Sequence, residues 1–160
     1  MSKFIFSLIF VSSFFTSNAQ EKDPAVIKDA VESKSYIFRA TMVFPQGMNS
    51  RTLTPGYDLI ISGDTVTSYL PYFGRAYTAP VGKNDGGLKF TLVKPAYTME
   101  NDGKKYVIKI VPENKADVQE LDLTVFENGR ASLIVLSTNR QTISFDGHIE
   151  KGKQNKKKGF

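Results

Sequence analysis

Tyr36-Ile37-Phe38-Arg39-Ala40-Thr41-Met42-Val43-Phe44 is the stretch that decides the fold. Tyr36, Phe38, Ala40, Met42 and Phe44 alternate with Ile37, Arg39, Thr41 and Val43. A period of two turns one such set toward a core, so the segment reads as a long strand with one face buried. The pattern repeats downstream. Tyr57, Leu59 and Ile61 form the next apolar face, and Gly63-Asp64 turns the chain back through Thr65 to Leu70. Leu88, Phe90 and Leu92 face in while Lys89 and Thr91 face out. Asn101-Asp102-Gly103 is a hairpin signal before Tyr106, Ile108 and Ile110. Leu121, Leu123 and Val125 follow. Glu127-Asn128-Gly129 turns the chain into Ala131, Leu133 and Val135, and Asn139-Arg140 turns it again into Ile143, Phe145 and Ile149.

About eight strands at short spacing predict a mainly β fold, an antiparallel meander closed as a small barrel or barrel-like sheet. No connection is long enough for a crossover helix, which argues against a parallel sheet. Upstream, Asp23 can cap a short helix and Pro24 suits its first position. Val26, Ile27, Ala30 and Val31 give that helix one apolar stripe, ending near Ser33 to Ser35.

Residues 1–19 read as a cleavable signal peptide. Lys3 is the basic start, Phe4 to Phe15 the apolar run, and Ser17-Asn18-Ala19 the small residues before a cut. An uncleaved membrane anchor is the competing reading, but the run is short for a span of about 20 residues. Residues 20–150 then form a single β-rich domain, and 151–160 a basic disordered tail. The expectation is an exported protein, periplasmic or secreted, with no stable membrane anchor. There is no cysteine, so neither disulfides nor a lipid on cysteine are available. Net charge is +5, but Lys3 leaves with the leader, and Lys151, Lys153, Lys156, Lys157 and Lys158 lie in the tail. Removing those six leaves 15 basic residues against 16 acidic ones. A near-neutral body argues against nucleic-acid binding. The tail reads as a solvated end, with contact to an anionic surface as the alternative.

The most unusual segment is Tyr69-Leu70-Pro71-Tyr72-Phe73-Gly74-Arg75-Ala76-Tyr77. Its proline and glycine break the alternation. Rings supply rigid contact area, and a guanidinium stacks on ring faces or forks onto a carboxylate or phosphate. Tyr69, Tyr72, Phe73, Arg75 and Tyr77 are therefore the candidate ligand-binding residues, with Arg75 fixing an anionic group. The same residues could instead plug a corner of the core. The glycine-rich connection from Tyr77 to Gly87 could gate a pocket beside them, or merely connect strands.

Asp146, His148 and Glu150 alternate and form the one acid–imidazole–acid cluster, facing away from Ile143, Phe145 and Ile149. A solvated sheet face is the favoured reading over a hydrolase site, because the trio lies on the polar face. Asp64, Asp85 and Asp102 sit in turn sequences rather than in a calcium loop. No nucleophile elbow, phosphate loop or dinucleotide fingerprint occurs. No catalytic residue, metal ligand or cofactor is assigned.

Leu70 to Tyr77, with Tyr57-Asp58-Leu59, Gly63-Asp64-Thr65-Val66, Gly87-Leu88-Lys89-Phe90 and Gln141 to Gly147, resembles a family of exported proteins of Gram-negative bacteria, domain of unknown function 4251. The resemblance runs from about Asp23 to Glu150. It implies a periplasmic or secreted β-rich domain and carries over no catalytic residues. Together these features predict a non-enzymatic binding module for a small apolar, amphipathic or peptide-like ligand. A protein-interaction or inhibitor domain and a weak hydrolase are the alternatives.

Overall fold

The computed structural model describes residues 22–75, 87–114 and 117–152. The expected signal peptide, Tyr77, all but the end of the connection from Tyr77 to Gly87, and the residues beyond Gly152 lie outside the described residues. A helix, α1 (Pro24–Glu32), precedes ten strands: β1 (Ser35–Pro45), β2 (Arg51–Thr52), β3 (Asp58–Ser62), β4 (Thr65–Leu70), β5 (Leu88–Val93), β6 (Ala96–Asn101), β7 (Lys105–Val111), β8 (Val118–Phe126), β9 (Arg130–Ser137) and β10 (Ile143–Lys151). They form one antiparallel sheet in the order β5-β4-β3-β1-β10-β9-β8-β7-β6, with β2 laid against β1. The mainly β, barrel-like expectation holds. The two strands beyond the expected eight are β2, with two exposed residues, and β6, where only Tyr97 is even half-buried. Neither buries enough apolar surface to print an alternating pattern on the sequence.

The sheet curls because its two outer strands are consecutive in sequence. β5 and β6 are joined by Lys94 and Pro95 alone, a link that spans only about 10 Å when extended. Antiparallel pairing all along the order makes both run the same way. They behave as one strand bent at a corner, its first part paired with β4 and its second with β7. Lys94 takes a left-handed φ of 49°, and its N–H bonds the Asp64 carbonyl oxygen at 2.7 Å. Across the interior, Tyr97 of β6 reaches β1, where its hydroxyl lies 3.1 Å from that of Tyr36.

One bulge corrects the expected facing of β1. Ala40 pairs with Gly147 and Met42 with Asp146, leaving Thr41 as the extra residue. The buried set is thus Tyr36, Phe38 and Ala40 before the bulge and Val43 after it, while Phe44 turns outward. Gly147 makes this possible. A Cβ there would overlap the Arg39 carbonyl oxygen and crowd the Ala40 backbone.

The core fills the inside of the curl. Tyr36, Phe38, Leu59, Ile108, Leu123, Leu133 and Phe145 are all fully buried. One end is closed by α1. The Asp23 side chain accepts the Ala25 N–H at 2.9 Å, Pro24 starts the helix, and Ile27, Ala30 and Val31 point into the core. Val26 is exposed, so the stripe is narrower than its sequence suggests. Asp29 and Lys151 pair at 2.6 Å, and Lys22 Nζ donates to the Ile149 carbonyl oxygen at 2.6 Å.

Candidate functional site

Strand register sorts the connections into two groups. The short turns at 63–64, 102–104 and 127–129 lie at the helix-closed end. The longer connections, after β1, β4, β7 and β9, gather at the opposite end. Binding residues concentrate where long loops share a rigid scaffold. The segment from Pro71 to Arg75 is part of this loop end.

The corner is stitched to the β9–β10 connection. The Tyr72 hydroxyl reaches the Gln141 carbonyl oxygen at 3.1 Å and the Arg75 carbonyl oxygen at 3.0 Å. Gln141 N–H donates to the Arg75 carbonyl oxygen at 3.2 Å, and its side-chain oxygen accepts the Arg75 N–H at 3.3 Å. Gly74 leaves room for this, because a Cβ would sit 2.8 Å from the Tyr72 hydroxyl. The Arg140 guanidinium lies 5.1 Å from the Tyr72 ring centre and donates to the Gly87 carbonyl oxygen at 3.3 Å. Arg51, from β2, lies 5.1 Å from the Phe73 ring centre. The rings therefore take their cations from distant parts of the chain, not from neighbouring Arg75.

Between this corner and the β1–β2 loop opens a cleft of about 740 Å³, lined by Gln46, Gly47, Met48, Phe73, Arg75 and Gln141. Volumes of roughly 300–1,000 Å³ are usual for small-molecule sites. Phe73 and Met48 give it an apolar wall, and Met48 is 49% exposed. Gln46 and Gln141 offer amide donors and acceptors. Arg75 contributes an exposed guanidinium that no carboxylate neutralises among the described residues.

The predicted residues divide. Phe73 and Arg75 line the cleft. Tyr72 is half-buried and braces the corner through main-chain oxygens. Tyr69 points to the outer wall, stacked on Tyr57 with ring centres 6.5 Å apart and Lys89 Nζ 4.6 Å from its ring centre. Tyr77 lies outside the described residues. Gln46, Met48 and Gln141 escape a reading along the sequence, because each belongs to the site only through folding.

Asp146, His148 and Glu150 share the outer face of β10, as their alternation predicts, but they serve different partners. Arg39 Nε donates to Glu150 at 2.7 Å, and its Nη1 to Asp58 at 2.9 Å. His148 Nε2 lies 3.4 Å from the other Glu150 oxygen. The Arg39 hydrogen bond holds the Glu150 carboxyl below its ordinary pKa against the opposing effect of partial burial. A carboxylate so committed ties strands together. Asp146 instead faces a groove with Arg130 and Ser132. Among the described residues no group of three or more histidine, aspartate or glutamate side chains could hold a metal ion.

The model of a family described as a domain of unknown function, DUF4251, matches residues 18–149. No curated protein matches the sequence. Among solved structures, a crystal structure of a DUF4251 family protein from Bacteroides eggerthii superposes with a TM-score of 0.58. The match covers 80% of this chain and 87% of that one at 11% identity, a likeness of fold.

Proposed function

The chain belongs to the DUF4251 family, and from that premise we propose that it is an exported, non-enzymatic binding module whose ligand is a small amphipathic anion. The single observation that carries this reading is the cleft of about 740 Å³ at the loop end, where Arg75 lies in one lining with Phe73 and Met48. A guanidinium with no carboxylate partner among the described residues, beside an apolar wall, suits a ligand with an acidic head and a hydrophobic body. The barrel interior is filled by side chains, so the ligand sits at the rim rather than inside. Concavity at the corner favours a small molecule over a flat protein-binding patch. Export rests on the leader at residues 1–19, which puts Gln20 first in the mature chain.

The test is native mass spectrometry of the chain purified from periplasm without detergent. The expected spectrum carries a reproducible added mass that organic solvent releases, with Gln20 as the first residue. Arg75→Ala and Phe73→Ala lose that mass while remaining folded. A ligand retained equally by both variants sinks the cleft reading.

A further inference from the structure

We propose a second binding groove on the outer wall at the helix-closed end, whose occupant is a neutral oligosaccharide. It stands apart from the loop-end cleft and shares no lining residue with it. Two depressions meet there. One, of about 570 Å³, crosses the outer faces of β8, β9, β10 and β1 over Arg130, Ser132, Asp146 and His148. The other, of about 540 Å³, runs between the β8–β9 turn and the start of α1, past Lys104 and Glu127. Both are lined by Phe126 and Asn128, so the two depressions adjoin on either side of that ring. Phe126 is 42% exposed, on the face opposite buried Val125.

Length, charge and donor pattern each narrow the occupant. Two adjoining depressions suit a chain molecule rather than a compact one. Arg130, Lys104 and Lys22 are matched by Asp146, Glu127 and Asp23, so the lining favours a ligand without net charge. The Thr41 hydroxyl donates to the Asp146 carbonyl oxygen and the Asn128 side-chain oxygen accepts the Arg130 N–H, which leaves the Thr41 oxygen as an acceptor, the Asn128 amide as a donor and the Ser132 hydroxyl as both for the hydroxyls of a sugar. Arg130 has no carboxylate partner among the described residues, so its planar fork is available for such hydroxyls. Phe126 and Met42 offer apolar surface for the C–H face of a sugar ring. A peptide fits less well. The strands beneath the groove are paired on both sides, so no edge is free for strand addition, and the two apolar side chains do not make anchor pockets.

The experiment is an NMR titration of the isotope-labelled mature chain with neutral hexasaccharides of glucose, xylose, mannose and N-acetylglucosamine. At least one is expected to shift the amides of Phe126, Arg130 and Ser132 saturably, with the corresponding monosaccharide weaker by about tenfold or more. Phe126→Ala should weaken that binding by about tenfold, Phe126→Tyr should preserve it, and Phe73→Ala should leave it unchanged. The proposal is overturned if no hexasaccharide shifts these amides, if Phe126→Ala binds like the wild type, or if an extended peptide saturates the same amides where no sugar does.

Discussion

The two ends of the curled sheet are built from opposite materials. At one, tight turns and a capped helix press Ile27, Ala30 and Val31 into the core. At the other, long connections cross, and their side chains meet across an open cleft. At the helix end apolar burial is joined by the Lys22 and Asp29–Lys151 links, while the corner at the loop end is braced by hydrogen bonds to main-chain oxygens, such as those of Tyr72. The proposed binding cleft thereby lies away from the helix that caps the core. Gln46, Met48 and Arg75 are exposed or polar and can change without disturbing the core, whereas Phe73 also packs against it.

Five substitutions would sharpen or break that contrast, and Gly147→Ala should be the most damaging. It attacks the wall common to both ends by driving a methyl into the Arg39 carbonyl. A loss of about 3 kcal/mol or more is expected in urea unfolding, with both ends lost in one transition. Wild-type stability in this variant would mean the bulge at Thr41 is misplaced. Ile27→Ala empties part of the helix end and should cost about 2–4 kcal/mol, lowering the melting temperature by roughly 10 °C. Ligand retention at the cleft should survive in the folded fraction. If it disappears as well, the ends are coupled rather than separate.

Smaller effects follow pH. Burial raises the Tyr36 hydroxyl well above its ordinary value, with Tyr97 adding to the shift, and burial raises Tyr97 too. A phenol raised on folding contributes stability that is complete below the unfolded value of about 10 and is lost as pH climbs past it toward the folded value. Tyr36→Phe should cost about 1 kcal/mol at neutral pH and make the alkaline fall shallower. Denaturant midpoints from pH 8 to 11 would show it, and parallel curves for the two proteins would contradict it. Glu150 has the reverse sign. Its carboxyl is depressed by Arg39, so its contribution is present above the unfolded value of about 4.3 and fades as pH drops through the folded one. The pair is partly exposed, so Glu150→Gln should cost below about 1 kcal/mol at pH 7. Melting curves of variant and wild type should converge as pH falls below the folded value. The least effect on stability belongs to Arg75→Ala at an exposed position, below about 1 kcal/mol, with the greatest effect on cleft binding. Thermal melting beside ligand retention measures both at once.

The helix end was the more legible of the two in the sequence. Asp23-Pro24 is a local start signal, and Leu121, Leu123 and Val125 alternate where burial demands it. The bulge was not legible, because Met42, Val43 and Phe44 are all apolar and composition cannot say which faces inward. β6 escaped for the opposite reason: Ala96 to Asn101 lies on an outer strand with little buried surface. The aromatic corner stood out as a string of rings, yet among its described residues it is Phe73, Gly74 and Arg75 that line the cleft. Met48 and Gln141 join them from far along the chain, and a linear reading has no means to pair such residues.

The seam between β1 and β10 has a temporal side. Tyr36 lies opposite Lys151, so almost the whole described chain separates the first strand from a partner it needs. Loop closure over that distance is slow, and a nascent chain emerges at only about 5–20 residues per second. Until Ile143 to Lys151 have been synthesised, β1 has an unmatched edge and the barrel cannot zip shut. Among the described strands β10 is the last to be made, and it is the one that completes the wall.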